Sequence, residues 1–179
     1  GFDPYKSAFP PGSREQTTED EFACVRAGYA GECTLVDRWI GHLLDALADR
    51  DLLDDTLIVF TSDHGCMMGE QGEIHKAENR LRNQVTQVPL LIRHPQGEAA
   101  GARVGGFVQH QDIMPTVFAI MGEEVPDRCN GENIWPLAVA GRESEREQII
   151  SAFGFHASVR NRRWNYIAPW VELPEGRGL

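Results

Sequence analysis

No apolar stretch of this sequence approaches the roughly 18 to 20 residues that a membrane-spanning helix requires. Its first residues show no charged start followed by an apolar stretch. Positive charge is scarce as well, because 17 Lys and Arg residues face 27 Asp and Glu residues, which gives a net charge of −10 over 179 residues. No basic block offsets this balance, so we expect no membrane span, and neither a nucleic acid nor an anionic membrane as the main partner. The charge balance does not exclude a metal ion or a small anion bound at one site.

Cysteines are also few, and Cys24, Cys33, Cys66 and Cys129 lack the density of a small disulfide scaffold. None of them belongs to the Cys-x-x-Cys pair that is typical of zinc-binding motifs. We therefore expect reduced or incidental cysteines rather than a zinc site. Internal repeats and low-complexity segments are lacking too, and the length suffices for one domain with a core.

What the sequence does contain is an alternation of helical and strand patterns. After Thr17 and Thr18, either of which could cap a helix, apolar residues recur at steps of three and four until "DRDLLDD". This spacing predicts one long amphipathic helix, and charges on its polar face, such as Arg26, are expected to be solvated. The continuous apolar runs Leu57 to Phe60 and Val88 to Ile92 suit strands covered on both faces, as in a parallel sheet packed between helices.

The second half of the chain predicts a short helix and then several short strands. The stretch "QDIMPTVFAIMGEE" predicts the helix, because a glycine closes it and Pro115 is tolerated in a first turn. His110 and Asp112 could form a metal-binding pair, but Asp112 is better explained as the cap of this helix. The pieces "EQIISAF", "HASVRN" and "RWNYIA" predict short antiparallel strands. The alternation of the last piece favours core packing for Trp164 and Tyr166 over substrate stacking.

The stretch "TLIVFTSDHG" places an aspartate and a histidine directly after an apolar strand. Ligands of open α/β sheets bind beyond the carboxyl ends of the strands, so we expect residues 56–62 to form an interior strand, with Asp63 and His64 at a site just past its end. A carboxylate and an imidazole are common metal ligands, and Gly65 permits the sharp turn that lets both face one point. Taken alone, the same residues also suit an ordinary turn with a capping aspartate.

Five segments in order resemble the sulfatases of the alkaline phosphatase superfamily, over about residues 20 to 167. They correspond to the helix before the site, the metal-binding strand and loop, the segment of the substrate-contacting lysine, an Asp-x-x-Pro-Thr helix and the carboxy-terminal strands: "YAGECTLVDRWIGHLLDAL", "LLDDTLIVFTSDHGCMMGEQG", "HKAENRLRNQVTQVPLLIRHP", "QHQDIMPTVFAIMG" and "SVRNRRWNYI". The resemblance implies an α/β fold. Residues 1–145 would hold part of an alkaline-phosphatase-like sheet flanked by helices, and residues 146–179 would begin a small antiparallel carboxy-terminal subdomain.

By position, the resemblance implies that Asp63 and His64 supply two ligands to one divalent cation, which in sulfatases is usually Ca²⁺. Many relatives have Asn where His64 stands, and imidazole is a softer donor than an amide oxygen, so Mn²⁺ or another transition ion is the alternative. Lys76 corresponds to the lysine that touches the sulfate ester, where a compact ammonium suits a catalytic and substrate-binding role. Without the resemblance, Lys76 would be an ordinary surface lysine. His75 is a further substrate-binding candidate that matches no firm family role.

Sulfatases carry their nucleophile, a formylglycine made from cysteine, in a Cys-x-Pro-Ser-Arg or similar motif. None of the four cysteines here has that context. We therefore expect the nucleophile in a missing amino-terminal part, and this chain to be the carboxy-terminal portion of a longer enzyme, inactive alone. The resemblance implies a sulfuric ester hydrolase acting on a small-molecule or carbohydrate sulfate ester. A phosphonate or phosphodiester hydrolase of the superfamily, or a non-catalytic binding module derived from it, is the alternative. The sequence assigns neither compartment nor oligomeric state.

Overall fold

The computed structural model describes residues 18–72, 74–76 and 80–169 of the chain. The chain divides into two compact units, residues 1–95 and residues 96–179. The sequence-based boundary between residues 145 and 146 stays a prediction about the domain organisation. None of the helices in the described part of the chain combines the length and the apolar character that crossing a lipid bilayer requires.

The long helix of the first unit is α1, Glu19–Ala48, and it begins where the sequence predicts. Thr18 is its amino-terminal cap, because the Thr18 hydroxyl accepts a hydrogen bond from the Glu21 amide at 3.2 Å. In return, the Glu21 carboxylate accepts a hydrogen bond from the Thr18 amide at 2.7 Å. This reciprocal arrangement satisfies two backbone donors at the helix start. The alternative cap, Thr17, lies outside the described residues.

The apolar stripe of α1 is only partly covered. Phe22 is the one residue of the helix that is buried. Several large apolar side chains farther along the helix are exposed: Leu35, Val36, Trp39 and Leu43. The periodicity therefore predicts the helix correctly, but the burial that normally accompanies such a stripe is limited to its first turns and to half-buried positions.

Two strands form the sheet that leads to the predicted site, β1 at Ile58–Thr61 and β4 at Leu90–Arg93. They are antiparallel, with Thr61 opposite Leu90. The expected parallel arrangement is wrong, because a continuous apolar run reports which faces are covered and not the direction of the neighbouring strand. The interior position expected for residues 56–62 is wrong as well, since within the described residues β1 has β4 as its one sheet partner.

Between these strands lie β2, Met67–Met68, β3, Ile74–His75, and the short helix α2, Asn83–Thr86. β2 and β3 pair as an antiparallel ladder of two residues each. The buried apolar side chains of the unit come from α1, from this ladder and from the region of α2: Phe22, Met67, Ile74, Leu81 and Val85. The small core of the first unit therefore lies beside the loop that follows β1.

The second unit contains the predicted short helix, α3 at Ile113–Ile120, which is followed by α4 at Trp135–Ala140. Pro115 is buried in the first turn of α3, where a missing amide proton leaves no hydrogen bond unmade. Gly122 follows the helix with a φ of +74°, a left-handed conformation that glycine adopts without strain. Both features confirm the sequence-based prediction for this segment.

Asp112 precedes α3, but its side chain does not cap that helix. Its carboxylate instead accepts hydrogen bonds from the amides of Gln109 and Glu132, at 2.7 and 2.9 Å, and from both terminal nitrogens of Arg146, at 2.6 and 2.9 Å. Burial by itself raises the pKa of Asp112, but the hydrogen bonds from Arg146 and the two amides outweigh burial and lower it. The role expected for Asp112 as the cap of α3 is therefore wrong. Its carboxylate instead forms a capping box with Gln109 at the 3₁₀ turn His110–Asp112 before the helix, and it binds Arg146.

Three antiparallel strands follow α4 in the described part of the second unit, in the order β5, β6, β7, as the sequence predicts. Their bounds are Gln148–Phe153, His156–Asn161 and Asn165–Pro169. The core positions expected for Trp164 and Tyr166 are wrong, because the two side chains are 65% and 71% exposed. Tyr166 stands opposite Val159, which is also exposed, so both lie on the solvent side of the sheet.

Candidate functional site

The residues after β1 form a turn that its own side chains hold in place. The Ser62 hydroxyl donates a hydrogen bond to the carbonyl oxygen of His64 at 2.8 Å. The His64 amide donates to Oδ1 of Asp63 at 2.9 Å. These two local hydrogen bonds fix the peptide between Asp63 and His64, which places both side chains just past the strand end, as predicted.

Gly65 joins this turn to α2. Its amide donates a hydrogen bond to the carbonyl oxygen of Val85 at 2.8 Å. A Cβ atom at residue 65 would overlap the carbonyl oxygen of Gln84, so the close approach of the two backbones requires glycine at this position. The sequence pointed to Gly65 for the sharpness of the turn, whereas its contact with residues 84 and 85 is a long-range feature that the sequence does not indicate.

The ring of His64 is oriented by a backbone carbonyl. Its Nδ1 lies 2.8 Å from the carbonyl oxygen of Gly65. A carbonyl oxygen only accepts hydrogen bonds, so Nδ1 carries a proton, and in the neutral ring Nε2 then presents a lone pair. Nε2 contacts the Nζ of Lys76 and lies 3.4 Å from Oδ2 of Asp63. The three side chains named by the sequence therefore meet around His64 Nε2.

The electrostatics of this group favour an ionised aspartate. The hydrogen bond from the His64 amide lowers the pKa of Asp63, and the positive charge of Lys76 lowers it further. The Asp63 side chain is 83% exposed and that of His64 is 36% exposed. Lys76 is exposed too. The group is thus open to solvent and carries a carboxylate, an imidazole lone pair and an ammonium at one point.

The donor atoms fit part of a metal site. Asp63 Oδ2 and His64 Nε2 are close enough to bind one cation together, and one oxygen with one nitrogen suits a divalent ion of intermediate hardness. The described residues hold no cluster of three or more His, Cys, Asp or Glu side chains. A divalent ion usually has about four to seven donor atoms. The remaining donors would have to come from backbone carbonyls, water, substrate or other residues.

The remaining sequence-based site residues have different outcomes. The backbone of His75 lies in β3 opposite Met67, and its side chain lies outside the described residues. His110 lies in the turn of the second unit that ends at Asp112, whose carboxylate is bound to Arg146. Ser62 was not singled out by the sequence. Its place in "SDHG" beside Asp63 was the available signal, because serine hydroxyls commonly bind their own turn.

Comparison with known proteins identifies the family. The sulfatase family model matches residues 2–123 of this chain. The multifunctional alkaline phosphatase superfamily protein PehA of Trinickia caryophylli is 33% identical over 146 residues, which cover 80% of this chain and 28% of that protein. Arylsulfatase K of Homo sapiens is 30% identical over 177 residues, which cover 92% of this chain and 32% of that protein. The chain thus spans about a third of the length of these curated relatives.

Two solved structures have folds similar to that of this chain. Phosphonate monoester hydrolase SpPMH from Silicibacter pomeroyi aligns with a TM-score of 0.70 and 26% identity, over 88% of this chain and 35% of that one. A protein solved in complex with its substrate D-glucosamine-2-N,6-O-disulfate aligns with a TM-score of 0.67 and 26% identity, over 78% of this chain and 30% of that one. With the family model covering most of its length, the chain belongs to the sulfatase family of the alkaline phosphatase superfamily.

Proposed function

We propose that this chain supplies the metal- and substrate-binding residues of an enzyme that hydrolyses sulfate esters. The observation that carries the proposal is the meeting of Asp63, His64 and Lys76 at one point beyond β1. The family membership supports the same reaction class. Because the chain spans about a third of its curated relatives, the activity is proposed for a protein in which these residues act together with others.

The chemistry of sulfate ester hydrolysis explains why these side chains would be grouped. A sulfuryl group spreads negative charge over its nonbridging oxygens as the ester bond breaks. A divalent cation, when bound, supplies a Lewis acid that stabilises this charge. The ammonium of Lys76 is a compact donor that suits a contact with one of the oxygens. Asp63 would hold the cation, and the Gly65 carbonyl would keep His64 turned so that its Nε2 faces the same point.

We propose Ca²⁺ as the first candidate for the cation, because sulfatases generally use it. His64 favours Mn²⁺ or another transition ion as the alternative, since an imidazole nitrogen is softer than the oxygen donors that Ca²⁺ prefers. The family also generally uses a formylglycine nucleophile, and no cysteine of this sequence lies in a Cys-x-Pro-Ser-Arg motif. We therefore propose that residues other than these 179 supply the nucleophile. His75 stays a candidate for substrate contact.

The substrate class that we propose is a small-molecule or carbohydrate sulfate ester. One structural neighbour was solved with a disulfated glucosamine as its substrate, which supports a sulfated sugar. A phosphonate or phosphodiester ester is the second candidate. It is favoured by the structural similarity to a phosphonate monoester hydrolase and by the histidine at position 64. The third candidate is a non-catalytic binding module derived from the family. Binding of sulfate esters without hydrolysis would support it.

The test compares two variants in the catalytically competent protein that contains these residues. Asp63→Ala removes a charged ligand, so bound metal should fall and added metal should partly restore turnover. Lys76→Ala should leave bound metal nearly unchanged while kcat/KM for an aryl sulfate falls by about 10²-fold or more. The measurements are metal content by mass spectrometry and steady-state kinetics, with an aryl phosphonate ester assayed in parallel to separate the two chemistries.

Two surface variants provide matched controls for the loss of charge in the same unit. Asp54→Ala removes a carboxylate whose side chain is 92% exposed and pairs with Arg93, and Arg50→Ala removes an exposed cation at the end of α1. Both should keep the metal content and the kinetics of the unsubstituted enzyme. Wild-type kinetics of Lys76→Ala on every ester would contradict its active-site assignment and support a surface lysine.

A further inference from the structure

One face of α1 runs alongside the segment that follows the site turn. A Cβ atom at Gly69 would lie 2.8 Å from Cδ1 of Phe22, so the Phe22 ring packs directly on this glycine. One turn later along the helix, Nη1 of Arg26, an exposed side chain as predicted, donates a hydrogen bond to the carbonyl oxygen of Met68 at 3.4 Å. The helix and the segment therefore run in opposite directions, with later helix residues facing earlier segment residues.

The next turn of this face brings two cysteines to one tyrosine. Tyr29 follows Arg26 by three residues, and Cys33 follows Tyr29 by four, so all three lie on the same side of the helix. The pKa of Tyr29 is raised, first by electrostatic interaction with Cys33, then by partial burial and a hydrogen bond with Cys33, and finally by interaction with Cys66. Both thiols therefore influence the Tyr29 phenol, Cys33 more strongly than Cys66.

Simple geometry places Cys66 between the levels of Tyr29 and Cys33 along the helix axis. An extended chain advances about 3.3 Å per residue and a helix about 1.5 Å per residue. The step of two residues from Met68 back to Cys66 therefore covers about the same distance as four residues of α1, counted onward from Arg26. Helical side chains lean toward the amino terminus, which tilts the Cys33 thiol back toward that level. Cys33 is exposed and Cys66 is half-buried, and neither forms a disulfide. The Cys66 thiol donates a hydrogen bond to the carbonyl oxygen of Met67 at 3.6 Å.

We propose that Cys33 and Cys66 form a redox-active pair that an oxidant such as hydrogen peroxide converts to a disulfide. Peroxide oxidises the sulfur of the exposed Cys33 to a sulfenic acid and releases one water. The sulfur of Cys66 then attacks that sulfur, the S–S bond forms, the S–O bond breaks, and the hydroxyl leaves as a second water with the Cys66 proton. In total, two thiols lose two electrons and two protons, and one peroxide becomes two waters.

The pair would connect the redox state to the candidate site. Cys66 follows Gly65, whose carbonyl oxygen orients the His64 ring and whose amide is bound to Val85. A disulfide would tether this turn to α1 at Cys33. The sequence motifs that indicate the sulfatase family give neither cysteine a role, so the proposal concerns residues that the hydrolytic function does not use.

The chain offers a direct test, because its four cysteines lie on four different tryptic peptides. Cys24, Cys33, Cys66 and Cys129 belong to residues 15–26, 27–38, 51–76 and 129–142, respectively. The intact chain is treated with one molar equivalent of hydrogen peroxide, free thiols are blocked with N-ethylmaleimide, and the digest is analysed by mass spectrometry without reduction. We expect a species that joins residues 27–38 to residues 51–76, at least about ten times more abundant than any other pair and removed by dithiothreitol.

Variants of α1 separate a specific pair from random oxidation. Cys33→Ser should abolish the cross-linked species. Cys24→Ser is the matched control, because Cys24 is an exposed cysteine of the same helix, nine residues earlier and on the opposite side, and its loss should change nothing. Recovery of Cys33 and Cys66 as separate adducts, or cross-links spread evenly over the four cysteines, would overturn the proposal. The readout needs no ester hydrolysis, so its failure is distinguishable from failure of the proposed function.

Discussion

Replacing Arg146 with alanine would remove the charged partner of a carboxylate that has no exposure to solvent. Asp112 is 0% exposed, and both of its oxygens accept hydrogen bonds from Arg146. Removing one member of a buried ion pair costs about 3–5 kcal/mol, because the other charge stays buried without compensation. The Arg146 side chain is 12% exposed and two backbone amides still bind Asp112, so we expect the lower end, about 3 kcal/mol.

Hydrogen exchange measured by mass spectrometry reports this loss of stability within the second unit. The Glu132 amide donates to Asp112, so its exchange reports the opening of this contact directly. A loss of about 3 kcal/mol corresponds to exchange that is faster by about 10²-fold, when closing is faster than exchange. Arg162→Ala is the matched control, since Arg162 and Glu143 form an exposed ion pair worth at most about 1 kcal/mol. Exchange in Arg146→Ala within threefold of the unsubstituted chain would refute the reasoning.

Three further changes have defined outcomes. Gly65→Ala should displace the site turn from α2, because its Cβ would overlap the Gln84 carbonyl. Faster hydrogen exchange of the residue-65 amide would report this displacement, whereas unchanged exchange would contradict the close approach of the two backbones. Thr18→Ala should destabilise the start of α1 by about 1 kcal/mol, which hydrogen exchange would report as faster exchange of the Glu21 amide. Equal protection of that amide in the variant and the unsubstituted chain would argue against the cap. The lowered pKa of Asp112 means that its stabilisation is complete above the unfolded-state pKa of about 3.9 and is lost as pH falls through the folded-state pKa. An acid titration of unfolding should therefore lose less stability below pH 4 in Asp112→Asn than in the unsubstituted chain, and equal losses would refute the assignment.

Features set by residues close in sequence were predictable. The start of α1 follows from a threonine and a glutamate three residues apart, and the site turn follows from Asp63, His64 and Gly65 in succession. The three carboxy-terminal strands follow from alternation and short turns. Each of these features depends on local hydrogen bonds or on the period of one element, so the residues that determine it are visible together in the sequence.

Features set by distant residues were not predictable. The antiparallel pairing of β1 and β4 joins segments about thirty residues apart, and an apolar run carries no information about strand direction. Asp112 and Arg146 are separated by 34 positions, so a capping role was the simpler local interpretation of the aspartate. The meeting of Lys76 with His64 was implied by family resemblance, and the residues between them give no local signal for it.

The most direct test of the account is whether Asp63 and His64 bind one divalent cation through His64 Nε2. Long-range ¹H–¹⁵N NMR of the histidine rings reads the protonated nitrogen of His64, with His64→Asn used for assignment, and Mn²⁺ titration detects weak binding because it broadens nearby signals. We predict protonation at Nδ1 and selective broadening of the His64 ring, absent in Asp63→Ala and absent at the exposed control His42 on α1. Protonation at Nε2, or equal broadening of His42 and His64, would contradict the account.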